Sequence, residues 1–406
     1  RLDTWDNIIS GSRYGEALIP FDKANSLMLE MAIRLVGGPH PTEHGEAGLT
    51  GNELEIISHW IQEGAPSSTG ETPFSGDREF VYVTNQSAAL VSVIDVATNQ
   101  VVRTVDLVGL GFTPNAKPHD VAVEPDGAAW YVSLITDNVV LKFDRNNNFL
   151  GRVEFERPGL LALSHANNTL YVGRSMAAVN PPQRIGVIDG ASLELEEVDV
   201  FFPRPHALAV APDGANVYTA SLALNQIATA DIADIAEEDL ALTNIAGDNP
   251  HVFVEFAISP DGNTMVAATE MTSQFMIFDI SDPPNVVLQE SIDINAAPWH
   301  PIYSRDGRYV YVGNKNANTV TVVDMQSRAV VDVIEGNGLA EPHGSALSAD
   351  GRYVYISNRN LAGAYTPRYD LGDNANAGTV VVIDTESREI IKVIEVDEYA
   401  AGMGGR

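Results

Sequence analysis

Asp-Gly turns at Asp126-Gly127, Asp213-Gly214, Asp261-Gly262, Asp306-Gly307 and Asp350-Gly351 punctuate this chain, and the later ones stand about 45 residues apart. The stretch after Asp306-Gly307 shows what lies between them. Tyr309 to Asn314, Thr319 to Asp324 and Ala329 to Ile334 each alternate β-branched or aromatic residues with small or polar ones, and each is bounded by Gly, Asn, Asp or Ser. That pattern predicts consecutive antiparallel strands, and His300 to Ser304 ahead of the turn adds a fourth. Four short strands per repeat make one blade of a β-propeller.

The first gap between turns is twice the others, and Leu161 to Val172 fills it with a repeat whose turn is Asn167-Asn168. Blades are therefore expected to begin near 118, 158, 205, 250, 299 and 342. A seventh is split. Ser75 to Asn85 matches Ser304 to Asn314 but has no inner strand before it, and Tyr399 to Gly404 forms an orphan strand at the other end. Pairing the two closes a seven-bladed ring and leaves no bare sheet edge at the seam.

With 55 acidic against 24 basic residues the net charge is −31, and only five of the basic residues are Lys. Such a surface repels phosphate backbones and anionic lipid, so nucleic acid is not an expected partner. A protein partner or self-assembly is expected instead. There is no Cys, hence no disulfide or thiolate metal site. No 18-residue apolar run predicts a transmembrane segment. The sequence opens on Arg1, as expected of a processed or incompletely represented chain.

Residues 1–66 have a different texture. Leu27, Met28, Met31 and Leu35 fall at helical spacing after Asn25-Ser26, with Gly37-Gly38-Pro39 as the stop. Thr50 and Glu53 form a capping-box pattern ahead of Leu54, Ile57, Trp60 and Ile61. The expected organisation is a small helical domain over 1–66, a turn-rich linker over 67–77 and the propeller over 78–406. Two stretches between strands are longer than the rest, an acidic one within 224–246 and one rich in Tyr, Asn and Gly within 361–378. Insertions of this kind lie at propeller faces, where function is added to a rigid scaffold.

Tyr82-Val83-Thr84-Asn85, with the variants Tyr311 to Asn314, Tyr131 to Ser133 and Tyr355 to Asn358, resembles the YVTN family of seven-bladed propellers over roughly 78–406. Residues 1–66 are similar to the C-terminal two thirds of small c-type cytochrome domains of the planctomycete kind. The matching residues are Arg1 to Trp5, Gly11-Ser12, Ile19-Pro20, Ser26-Leu27, and Leu49-Thr50 leading to Trp60 to Ala65. The overall fold is thus expected to be mainly β, a seven-bladed β-propeller with a small N-terminal α-helical cytochrome-c-like domain. The Cys-x-x-Cys-His attachment segment of that family is absent, so the resemblance implies haem c only if such a segment lies upstream of Arg1. His40 stands where the family carries its distal ligand, and His44 is its rival.

Five histidines form the second candidate site. His119, His206, His251, His300 and His343 each open a blade, four of them after Pro118, Pro205, Pro250 or Pro342, with Gly159 at the corresponding place in blade 3. Inner strands surround the axis, so these rings are expected to converge at one mouth of the channel. There they either bind a metal ion or bond a neighbouring blade's backbone. His59 and His165 read as packing residues. Asp95, Asp144, Asp189, Asp279, Asp324 and Asp384 recur at one strand end and read as turn caps.

The leading functional expectation is an extracytoplasmic protein, periplasmic or extracellular, acting in electron relay or as a binding or assembly module. The alternative is an enzyme at the channel mouth, a metal-dependent oxidoreductase or lactonase-like hydrolase using the histidines. No Gly-x-Ser-x-Gly elbow, phosphate loop or His-Glu-x-x-His motif points elsewhere.

Overall fold

A computed structural model of the chain describes residues 3–12, 15–35, 49–175, 183–233, 235, 240–294, 296–372 and 374–405. Its described residues form seven four-stranded antiparallel sheets. Six run in chain order. The seventh places Ala400–Gly405 beside Phe80–Asn85, with Val83 opposite Met403 and Tyr82 opposite Gly404, so the two ends of the propeller share one blade as expected. We number the blades from this seam. Their inner strands are Ala400–Gly405, Pro118–Val123, Pro158–Ser164, Pro205–Val210, Phe253–Ile258, Pro298–Tyr303 and Pro342–Leu347.

The core is not central but lies between blades. Seven hydrophobic clusters each join one blade to the next, for example Tyr82 of blade 1 stacked on Trp130 of blade 2 at 4.6 Å between ring centroids. The period-2 pattern of the strands explains this: both faces of a blade meet a neighbour, and second strands such as Tyr309–Asn314 are buried almost throughout. The six aspartates read as turn caps have that role. Asp95, Asp144, Asp189, Asp279, Asp324 and Asp384 each accept at least one backbone N–H from the turn that follows.

All seven inner strands begin in the same way. The residue before each, Lys117, Arg157, Arg204, Val252, Ala297, Glu341 and Tyr399, has a positive φ between 48° and 59°. Each inner strand then carries one residue more than its partner, as a bulge near its start. This register corrects one expected boundary. Blade 5 begins at Phe253, after the left-handed Val252, and not near Pro250.

At the other end, Trp5–Ile9, Leu27–Leu35 and Gly51–Gln62 are the helices α1, α2 and α3 among the described residues. The capping box at Thr50 and Glu53 is formed, with the Glu53 carboxylate accepting the Thr50 N–H at 2.7 Å. Leu18, Leu29, Ile61 and Ala65 make a small core of their own. The segment is not set apart from the propeller, however. Ile19 belongs to the cluster between blades 7 and 1, and Arg103 of blade 1 stacks on Phe21 at 4.8 Å. Residues 36–48, with the expected helix stop, His40 and His44, lie outside the described residues, as do Arg1, Leu2 and much of the acidic stretch near 236. No described helix is long and apolar enough to cross a membrane.

The seam yields a prediction. Truncation after Glu398 bares the backbone edge of Phe80–Asn85 and removes Ala400 and Met403 from the cluster between blades 7 and 1. Loss on the order of 4 kcal/mol is expected, read as a large fall in melting temperature. An unchanged melting curve would contradict closure by the last strand.

Candidate functional site

Counting from the left-handed residue puts the inner strands in register and builds the channel mouth in two tiers. The second residue after it is His119, Gly159, His206, Val254, Trp299, His343 and Ala401 in blades 2 to 7 and 1. The third is Asp120, Leu160, Ala207, Glu255, His300, Gly344 and Gly402. Of the five histidines expected in one register, three share it. His300 lies one residue further on, because Trp299 takes the equivalent place. His251 precedes Val252 and falls outside the inner strand.

The outer tier brings imidazoles together across the small residues between them. The His119 ring lies 6.1 Å from that of His206 past Gly159, and 5.6 Å from that of His343 past Ala401. His343 is 4.8 Å from His300 and 4.7 Å from Trp299. His251 does not join them; its Nδ1 bonds Thr272 Oγ1 at 2.9 Å and its Nε2 the Ala246 carbonyl at 2.9 Å, which ties down a loop. One ring takes the backbone partner expected from a neighbouring blade, His206 Nδ1 donating to the Arg174 carbonyl at 2.7 Å, whereas His119 Nδ1 bonds a side chain instead, Gln86 Oε1 at 3.0 Å. Among the described residues, no three His, Asp, Glu or Cys side chains are grouped as a metal ion requires.

The inner tier holds the titratable chemistry, and two of its members were not legible beforehand. Glu255 forms an ion pair with His300 Nδ1. Asp120 is buried, and its Oδ2 accepts the Leu161 N–H at 2.8 Å from blade 3. A Cβ added to Gly402 of the closing strand would stand 2.5 Å from Asp120 Oδ1 and 2.3 Å from the His119 carbonyl, so glycine is required there for the seam to pass the carboxyl. His300 has φ 36°, a left-handed backbone within the bulge of its strand. Strain of this sort is tolerated where it aims a functional side chain. An alignment of the seven strand openings would expose Asp120 and Glu255, but Pro250-His251 imitates the Pro-His openings of blades 2, 4 and 7 and hides the true start of blade 5.

Burial and neighbouring charge drive these groups apart. Burial, with the charges of His206 and His300, lowers His119 to about 3, and burial lowers His206 to about 4 despite the Arg174 carbonyl. His343 falls well below the ordinary imidazole value for the same reasons. Burial acts on His300 too, yet the Glu255 carboxylate outweighs it and raises the ring. Burial and the Glu255 charge push Asp120 up to about 8. The tier therefore sets an ion pair, His300 with Glu255, beside a carboxyl that keeps its proton near neutral pH, and groups driven apart in this way are candidates for acid and base roles.

Around this tier the mouth is polar and partly cationic on an acidic protein. Lys117 and Arg204 are exposed there, Arg359 pairs with Glu341 at 3.1 Å, and Lys315 pairs with Glu270.

The depressed histidines have a signed consequence for stability. His206 takes up its proton later in the folded state than in the unfolded chain, so its contribution is complete above about 6.5 and is lost as pH falls toward about 4. Asp120 has the opposite sign, stabilising below about 3.9 and losing that contribution as pH rises through about 8. Between pH 6.5 and 4 the melting temperature of the wild-type protein is expected to fall more steeply than that of His206→Gln. The difference corresponds to roughly 3 kcal/mol. Parallel melting curves for the two proteins would show that His206 is not held neutral.

The lactonase family of seven-bladed β-propellers matches residues 152–397. No curated protein matches the chain. Among solved structures, the periplasmic gluconolactonase of Pseudomonas aeruginosa superposes with a TM-score of 0.62 at 19% identity, over 81% of this chain and 99% of that one. A putative 6-phosphogluconolactonase of Bacteroides fragilis gives 0.62 at 16% identity, over 82% and 99%. A dihydro-heme d1 dehydrogenase gives 0.55 at 15% identity, over 95% and 93%. These likenesses are to the fold. The family match spans more than half of the sequence, and the chain belongs to the lactonase family of seven-bladed β-propellers.

Proposed function

We propose that the protein is a lactone hydrolase acting at the channel mouth, with His300 and Glu255 as the base and Asp120 as the acid. The observation that carries this reading is the placement of these three side chains at one register position of blades 6, 5 and 2, with His300 paired to Glu255. Family membership supports it over the electron-relay expectation. The name of the Pseudomonas relative supports a periplasmic location.

In the proposed reaction His300, oriented by Glu255, takes a proton from water as its oxygen bonds the acyl carbon of the lactone. The carbonyl π pair moves onto oxygen. When it returns, the ring C–O bond breaks and the leaving alkoxide takes the proton of Asp120, giving an open hydroxy acid. Proton transfer from His300 to Asp120, directly or through water, restores the starting state.

The test is hydrolysis of D-glucono-δ-lactone, followed against the spontaneous rate. The protein is expected to accelerate it, and Glu255→Gln to lower kcat by about 10²–10⁴-fold while the fold is kept. The pH profile of kcat/KM should be bell-shaped, with an alkaline limb near 8 from Asp120. Rates equal to buffer across five- and six-membered lactones would overturn the proposal.

A further inference from the structure

We infer that Trp299 and His343 form the subsite that receives the acyl oxygen of the substrate, with Arg359 at its edge. This rests on the hydrolase reading and adds binding residues to it. Trp299 and His343 occupy the same register position in adjacent blades, and their rings meet edge to face at 4.7 Å. The His300 ring is 4.8 Å from that of His343, so the pair adjoins the proposed base.

Both side chains are buried, Trp299 at 6% and His343 at 2% exposure, yet neither Trp299 Nε1 nor His343 Nδ1 has a hydrogen-bond partner. Arg359 Nε, on a guanidinium 5.3 Å from the Trp299 ring, is likewise unsatisfied, although its terminal nitrogens reach Glu341 and the Tyr399 hydroxyl. Each buried polar atom left unpaired costs about 1–3 kcal/mol. His119 and His206, at the equivalent position of their blades, avoid that cost by bonding Gln86 and Arg174. Two orphaned nitrogens on rings in contact, with a third on the guanidinium beside Trp299, therefore mark a place for an acceptor that the chain itself does not supply.

The charges say which acceptor. Arg359 is balanced by Glu341, Lys315 beside Trp299 is balanced by Glu270, and burial keeps His343 neutral. Indole N–H can only donate, and a neutral imidazole with its proton on Nδ1 donates as well. Donors without net charge suit a neutral carbonyl that becomes an oxyanion, and not a phosphate dianion. As the water oxygen bonds the acyl carbon, the displaced electron pair settles on this oxygen. Hydrogen bonds fixed in advance in a dry site then strengthen in the transition state.

Trp299→Phe keeps an aromatic ring and removes the N–H, and His343→Phe removes the imidazole nitrogens at similar volume. In each, kcat for glucono-δ-lactone is expected to fall by about 10²-fold, with KM changed by about 2-fold or less and folding retained. Binding of D-gluconate, the hydrolysis product, whose carboxylate oxygen carries negative charge as the oxyanion does and the neutral lactone does not, is measured in parallel by calorimetry on wild type and both variants. Weaker gluconate binding in both variants supports the subsite even if the wild-type protein turns over no lactone, the result that would overturn the hydrolase reading alone. Undiminished kcat in folded variants, or gluconate binding equal to wild type, overturns the subsite and leaves the hydrolase reading standing.

Discussion

Seven strands must stand side by side around one axis, and the crowding this imposes governs both the fold and the site. The closing strand Ala400–Gly405 is built of Ala, Gly and one Met, and a Cβ at Gly402 or Gly404 would meet the blade 2 backbone at 2.3 or 2.7 Å. The same crowding accompanies the shared opening of every inner strand, a left-handed residue followed by a one-residue bulge. Because the bulge shifts the pleat by one residue, two successive side chains per blade, not alternate ones, are carried at the mouth.

That geometry separates chemistry by tier. The outer tier supplies imidazoles whose charge is suppressed by burial and by one another, and the inner tier supplies two carboxyls and the one histidine that gains charge. A medium of low effective dielectric amplifies both effects, since it penalises a lone charge and strengthens a paired one. Whether an imidazole here stays neutral or holds a proton is decided by one neighbour, Glu255. Placed beside His300, it lies within a hydrogen bond of that ring and of no other imidazole of the cluster.

Chain closure and the N-terminal segment are linked by the same packing. Ile19 fills the cluster where blades 7 and 1 meet, so the region read as a separate helical domain contributes to the seam. Its own core of Leu18, Leu29, Ile61 and Ala65 is small, as the short helices among its described residues allow.

Blade number, the split blade and its closure were legible in the sequence, because turn residues and period-2 alternation are local properties that survive in one dimension. The convergence of His119, His206 and His343 was legible for the same reason, as a repeat offset, whereas His300 joins them from one residue further on and His251 does not join them. What the sequence could not settle was register to the single residue. Pro250-His251 copies the opening of other blades, while the left-handed backbone that marks the true start falls on Val252, a residue with no turn signature. The buried carboxyl of Asp120, the ion pair of Glu255 with His300 and the unsatisfied nitrogens of Trp299 and His343 exist only once seven blades close, since their burial comes from other blades. Alternation and turns determined the scaffold; desolvation and neighbours across the axis, which only the closed ring provides, decided the site.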